Sequence, residues 1–266
     1  MAHNKSKSAP SNPTMSLGDH LEELRYRVIL AVIGLAVALV ASLFFGKTII
    51  SFLEKPYFLA MGKEARMQVL GPAEGFISYM NISLITGAVI ASPWIFYQLW
   101  MFVAAGLYPN EKRYVYMAVP FSVGLFIAGA LFFLFVIAPV TLKVLVLFNK
   151  EVLEVDSNFT FQKYISLITV MMLVFGVAFQ TPIVVFVLNK IGLVSLEALY
   201  KSRRFVILGV IIVAAAATPG SDMFSLFALA IPMYLLFELG VLLCYFFNRK
   251  QNTIQADTNF AGVPRL

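Results

Sequence analysis

Six stretches of this 266-residue chain are almost free of charge: Val28–Phe45, Phe76–Ala104, Tyr114–Ala138, Tyr164–Asn189, Phe205–Ala217 and Met223–Phe247. Glu238 is the one charged residue within them. A helix needs ~17–25 such residues to cross a bilayer, and five of the six stretches are that long. The fifth, Phe205–Ala217, has thirteen. At ~1.5 Å rise per residue it covers about 20 Å of a hydrocarbon core ~30 Å thick. Composition points the same way. Hydrophobic residues make up 60% of the chain and charged residues 13%, where soluble domains average about 25% charged. A water-soluble fold of this length has too little interior to hide so much apolar surface. The chain reads as an all-α integral membrane protein with six transmembrane helices.

Punctuation between the stretches sets the connections. Glu54-Lys55-Pro56 breaks the helix after the first span, and Thr218-Pro219-Gly220-Ser221 forces a tight turn that makes the fifth and sixth spans a short hairpin. Leu142–Phe148 stays apolar beyond Pro139, so the third helix is expected to bend there and lie along the interface. Met1–Met15 is rich in Ser, Asn and Pro and reads as a flexible tail (1–15), as does 249–266, around a membrane domain at 16–248. With six spans, the side holding both termini carries 13 Lys and Arg and the opposite side 7. The richer side marks the cytoplasm, so both termini are expected there, in a multi-pass protein of a bacterial inner membrane.

Several function classes fall away. Basic residues are spread between the apolar stretches rather than gathered in a stripe, which argues against nucleic acid. Cys244 is alone, and His3 and His20 both precede the first span. No histidine or thiolate metal centre can therefore form inside the membrane, and no metal or cofactor is expected. Phosphate-cradling glycine loops, nucleophile elbows and paired metal-binding histidines are all missing, so no catalytic residues are assigned and the chain is not read as an enzyme.

The polar residues in costly or suggestive places are few. Asp19–Arg27 precedes the first span with leucines at helical spacing, an amphipathic interfacial helix. Within it, Glu23 and Arg27 are either a surface pair four residues apart or part of a binding site. Glu111, in the loop Leu107–Arg113, is either a solvated charge or a carboxylate placed to accept a cation. A guanidinium would suit it, because its fork matches a carboxylate in two-pronged geometry. Gln180 sits mid-stretch and needs a partner, so it should face other helices. Pro182 removes a backbone donor and should kink that helix. Glu238 is an intramembrane carboxylate and a functional candidate by default. Asp222 is placed to cap the sixth helix after Thr218. Pro93, Pro120 and Pro232 read as bend sites, and Trp94, Tyr97 and Trp100 as interfacial anchors or packing aromatics.

Six ordered motifs resemble the TatC family, the multispanning receptor subunit of the twin-arginine protein translocase. They are His20-Leu-x-Glu23-Leu-Arg25-x-Arg27, Ser92-Pro93-x-x-x-Tyr97-Gln98-x-Trp100-x-Phe102 and Leu107-Tyr108-x-x-Glu111-Lys112-Arg113, then Phe175-Gly176-x-x-Phe179-x-x-Pro182, Thr218-Pro219-x-x-Asp222 and Ala230-Ile231-Pro232-x-Tyr234-x-x-Phe237-Glu238. Together they span about Ser16 to Asn248.

The resemblance implies six helices with both ends cytoplasmic and the last two short. It assigns Glu23 and Glu111 to the recognition of paired arginines in a signal peptide, with Arg25, Arg27 and Phe102 at the same site. Pro56 matches a structural proline of the first external loop, and Asp222 the acid of the fifth-to-sixth turn. It also implies TatA-like and TatB-like single-span partners docking on the last two helices, several copies per complex, and transport of folded cargo driven by the proton-motive force. Three positions depart from the family pattern. Gln180 stands where many relatives have glutamate, Leu226 where some have glutamine, and Ala105 where proline is common. Gln180, Thr218, Asp222 and Glu238 are the candidate intramembrane polar and partner contacts, and Pro56, Pro93 and Pro182 the structural prolines. The rival reading is a proton- or ion-coupled small-molecule transporter with Gln180 and Glu238 as a midplane site; the lack of internal repeats counts against it.

Overall fold

The structure, a computed structural model, describes residues 17–62, 64–108, 111–155, 157–217 and 223–260. Ten α-helices account for most of them: α1 (Leu17–Phe44), α2 (Gly46–Leu53), α3 (Lys55–Met61), α4 (Glu74–Ala105), α5 (Lys112–Phe132), α6 (Ala138–Glu151), α7 (Phe161–Ala178), α8 (Thr181–Lys190), α9 (Leu196–Ala217) and α10 (Met223–Phe260). Among the described residues the one β contact is an isolated bridge between Gln68 and Thr160. Five helical stretches are long and apolar enough to cross a membrane: Gly18–Phe44, Glu74–Ala105, Lys112–Glu151, Phe161–Lys190 and Leu226–Phe247. This is a multi-pass membrane protein. The expected fifth span, α9, is not among the five. Its 22 residues begin with the charged stretch Leu196–Arg204, and only its second half is apolar.

Proline positions explain where helices break and where they do not. Glu54 ends α2 and leads into α3, with Pro56 buried in the first turn of α3, where its missing N–H costs no hydrogen bond. Burial at this junction pushes the carboxyl of Glu54 up from its ordinary value. Pro182 likewise opens α8 after a tight turn at Phe179-Gln180. Pro93 lies inside α4 without ending it, because the Val89 carbonyl it leaves free accepts a hydrogen bond from Ser92 Oγ at 2.7 Å. Pro139 lies at the start of α6, directly after a π turn. Helix α5 widens into a π-helical turn at Phe133–Ile137 and runs on as α6, so the helix continues through Pro139 without a break. A π turn just before the ring relieves the clash that Pro139 would make in a regular helix.

Helix α1 packs antiparallel on α4, and the register is set by side chains that donate to the other helix's backbone. Trp94 Nε1 bonds the Leu30 carbonyl at 2.8 Å and Ser42 Oγ the Ser83 carbonyl at 2.6 Å, while the Tyr79 hydroxyl reaches Leu43 O. Between these anchors Gly87 lets the two backbones touch: a Cβ there would lie 2.9 Å from the Leu39 Cα. Small residues at such crossings are how helices approach in lipid, where no hydrophobic force separates helix from solvent. The main apolar core lies toward the end of the bundle away from Glu23. There Tyr57, Phe133, Leu142, Tyr164, Ile165 and Phe175 are buried together, and the Tyr164 hydroxyl donates to Leu53 O at 2.7 Å.

Gly87→Ala is expected to lower the thermal midpoint of the purified protein, at a cost of about 1–3 kcal/mol, the usual penalty for overpacking. Gly124→Ala, also inside a helix but where a Cβ meets nothing within 4 Å, should leave the midpoint as high or higher. Thermal unfolding in detergent followed by size-exclusion chromatography distinguishes the two.

Candidate functional site

The antiparallel register brings the start of α1 to the end of α4. The His20 ring stacks on Phe102 with centroids 4.4 Å apart, and it also lies over Gly106, where a Cβ would sit 3.3 Å from its Cε1. One turn further on, Arg27 Nε donates to Glu23 Oε1 at 2.7 Å. The same guanidinium donates through Nη1 to Gln98 Oε1 at 2.9 Å, and Gln98 is buried at 2% exposure. Arg27 is thus held between a carboxylate on its own helix and an amide on α4. The Glu23–Arg27 pair is therefore more than a solvated i,i+4 contact. Its side chains are 25% and 20% exposed.

Glu111 follows on the same end, five residues past Gly106 and directly ahead of α5. Its carboxylate accepts the Tyr108 N–H at 3.3 Å, a long bond that leaves most of its acceptor capacity open. Arg25 is exposed and lies on a different face of α1 from Glu23 and Arg27. His20, Glu23, Arg27 and Phe102 thus share one rim, and Glu111 lies at the same end of the bundle with its contacts in its own loop. The rim already holds one guanidinium, that of Arg27, between a carboxylate and an amide oxygen.

Deeper in the bundle, Gln180 sits in the turn between α7 and α8, 8% exposed. Its Nε2 donates to Ser122 O on α5 at 3.0 Å and to Gly176 O at 3.5 Å. Gly176 O is free because the Gln180 N–H turns to Val177 O instead. A carboxylate at 180 could not make these donations unless protonated, so the amide suits this site. Ser122 is shared: its hydroxyl accepts Trp100 Nε1 at 2.7 Å, and Trp100 is a buried packing aromatic.

Glu238 turns to α9. Arg203 Nη2 donates to its Oε2 at 2.7 Å and the Tyr234 hydroxyl to its Oε1 at 2.6 Å. Gln180 and Glu238 therefore face different helices and form no common midplane site. Thr218 and Asp222 lie outside the described residues. Gln98, Ser122, Arg203 and Tyr234 carry no assignment from sequence reasoning. Gln98 and Ser122 had a faint signal as uncharged polar residues in apolar stretches, but their partners are distant in sequence.

Residues 19–232 match the family described as Sec-independent protein translocase protein (TatC). The chain belongs to the TatC family. A TatC from Desulforapulum autotrophicum is 33% identical over 239 residues, covering 90% of this chain and 87% of the relative. One from Aquifex aeolicus is 34% identical over 241 residues, covering 91% and 99%. A crystal structure titled as the twin-arginine translocase receptor TatC superposes with a TM-score of 0.77 at 33% identity, over 85% of this chain and 98% of that one. The α1–α4 rim and the Gln180 turn both lie within the part of the chain matched to TatC.

In this TatC protein the Arg203–Glu238 pair is only partly shielded, with side chains 42% and 28% exposed. Removing one partner leaves a half-buried charge, whereas removing both does not. Glu238→Leu is expected to destabilise the protein by about 1–3 kcal/mol, and Arg203→Leu in the same chain to recover part of that loss. Thermal midpoints of the two single variants and the double variant measure it; additive losses would contradict a pair.

Proposed function

We propose that this chain is the receptor subunit of a twin-arginine protein translocase, and that its rim binds the paired arginines in the signal peptides of folded cargo. The observation that carries the reading is the guanidinium already seated there, Arg27 between Glu23 and Gln98. A carboxylate has about four acceptor positions. With Arg27 on Oε1 of Glu23, Oε2 keeps room for an arriving arginine, and Glu111 offers a second carboxylate for the other. Phe102, stacked by His20, closes the rim beside them. Membership of the TatC family and the printed description of its solved relative as a receptor support the same reading.

In this reading the chain crosses a bacterial inner membrane six times, with α9 as the short fifth span and both termini cytoplasmic, because Lys and Arg are concentrated on that side. The rim then faces the cytoplasm, where cargo is made. TatA-like and TatB-like single-span proteins dock on the α9–α10 hairpin, around Thr218 and Asp222, and further copies of this chain join the complex. The short apolar half of α9 thins the bilayer locally, which lowers the barrier to a passage. The chain is a receptor and scaffold; the proton-motive force supplies the energy. The transporter alternative has no site to stand on, since Gln180 is bonded to α5 and Glu238 to α9.

Glu23→Ala and Glu111→Ala, each alone, should weaken binding of a twin-arginine peptide while the protein still inserts. A hydrogen bond to a charged group contributes about 1.5–3 kcal/mol, so each loss is expected to be tenfold or more. Unchanged binding in both variants, measured on the protein in nanodiscs, overturns the assignment. Replacing the peptide's Arg-Arg by Lys-Lys should also weaken binding, because an ammonium lacks the planar fork.

A further inference from the structure

Trp94, Gln98 and Phe102 are spaced four apart along α4, so they form one stripe on its surface. Each meets α1: Trp94 at the Leu30 carbonyl, Gln98 at the Arg27 guanidinium and Phe102 at the His20 ring. The contacts above and below hold Gln98 in place, and it is buried. A guanidinium carries donors only. The amide must therefore present its oxygen to Arg27, and Oε1 lies 2.9 Å from Nη1.

An arginine beside a carboxylate frequently covers both oxygens, through two parallel N–H···O bonds. Arg27 and Glu23 lie four residues apart on one helix, a spacing at which side chains meet freely. Yet the pair is not closed. Arg27 gives Glu23 one bond, from Nε to Oε1, and turns Nη1 to Gln98. Among the described residues, Oε2 of Glu23 accepts no hydrogen bond. The feature that separates this open pair from a closed one is the amide oxygen competing for the guanidinium from α4.

We propose that Gln98 is a positioning residue for signal-peptide binding: it holds Arg27 on one oxygen of Glu23 and so keeps the other open for an arginine of the peptide. This rests on the reading of the rim as the twin-arginine site. Buried on α4, Gln98 acts through Arg27 and not by touching the peptide. Without its oxygen, Nη1 loses its partner and the guanidinium closes on Glu23. An arriving arginine must then displace a charge-assisted bond before it can form its own. Glu111 is untouched by this, because its contact lies in its own loop.

The test is the affinity of a twin-arginine peptide for the full-length protein in nanodiscs. Gln98→Met, of similar length but with no oxygen acceptor, should weaken binding about tenfold, with its thermal midpoint checking that it folds. Gln98→Glu keeps an acceptor for Nη1 and should bind at least as tightly as the wild type. In a Glu23→Gln background, Gln98→Met should cause no further loss, because no carboxylate is left for Arg27 to close on. In a Glu111→Gln background it should still weaken binding about tenfold. Wild-type affinity in Gln98→Met, or a full further loss in the Glu23→Gln background, overturns the proposal. So does weakened binding in Gln98→Glu, whatever Gln98→Met does, since that is the result a packing role gives. Binding left unchanged by Glu23→Gln alone instead overturns the assignment of Glu23 to the peptide, and this inference with it.

Discussion

Hydrocarbon offers backbone groups no water to bond, so every N–H and carbonyl in the membrane must be paired inside the protein. The helices meet most of that demand within themselves. Where a turn tightens or a proline intervenes, a carbonyl comes free, and here a side chain is set to meet it. Ser92 answers Val89 beside Pro93, and Gln180 answers Gly176 ahead of Pro182. Other polar side chains reach across to a neighbouring helix's carbonyl: Trp94 to Leu30, Ser42 to Ser83, Gln180 to Ser122 and Tyr164 to Leu53. Lipid gives little hydrophobic force to press helices together, so these bonds and close backbone contacts such as Gly87 on Leu39 set the register.

The rim follows from that register. Because α1 and α4 are pinned antiparallel along their length, residues 20 to 27 of one must meet residues 98 to 106 of the other. His20 lands on Phe102 and Arg27 on Gln98. Glu23 is then fixed by Arg27 and not left to sample rotamers in solvent. Preorganisation of this kind lowers the entropy lost when a ligand arrives. The same construction separates the interior polar groups, with Gln180 tied to α5 and Glu238 to α9.

Much of the helical frame was legible from run lengths, since an uncharged stretch of ~20 residues has few alternatives in lipid. Breaks at Pro56 and Pro182 were legible as well, because both lie at the first turn of a new helix. The π turn ahead of Pro139 was not legible, because it involves Phe133 and Leu134, which are buried in the core. The start of α9 at Leu196 was hidden by its charged first turns, which read as loop. At the site, Glu23 and Arg27 were visible as a local pair, but Gln98 lies 71 residues away from Arg27 and nothing local points to it. Arg203 was masked in the same way, as one of several basic residues preceding a span.

The central claim is that the rim carboxylates contact the signal arginines directly. A double-mutant cycle tests it, pairing Glu111→Gln or Glu23→Gln in the protein with Arg→citrulline at each signal position, read as peptide affinity in nanodiscs. The account predicts that each carboxylate couples to one of the two arginines by more than about 1 kcal/mol. Additivity within about 0.5 kcal/mol for every pairing would contradict it, because the carboxylates and the arginines would then not meet.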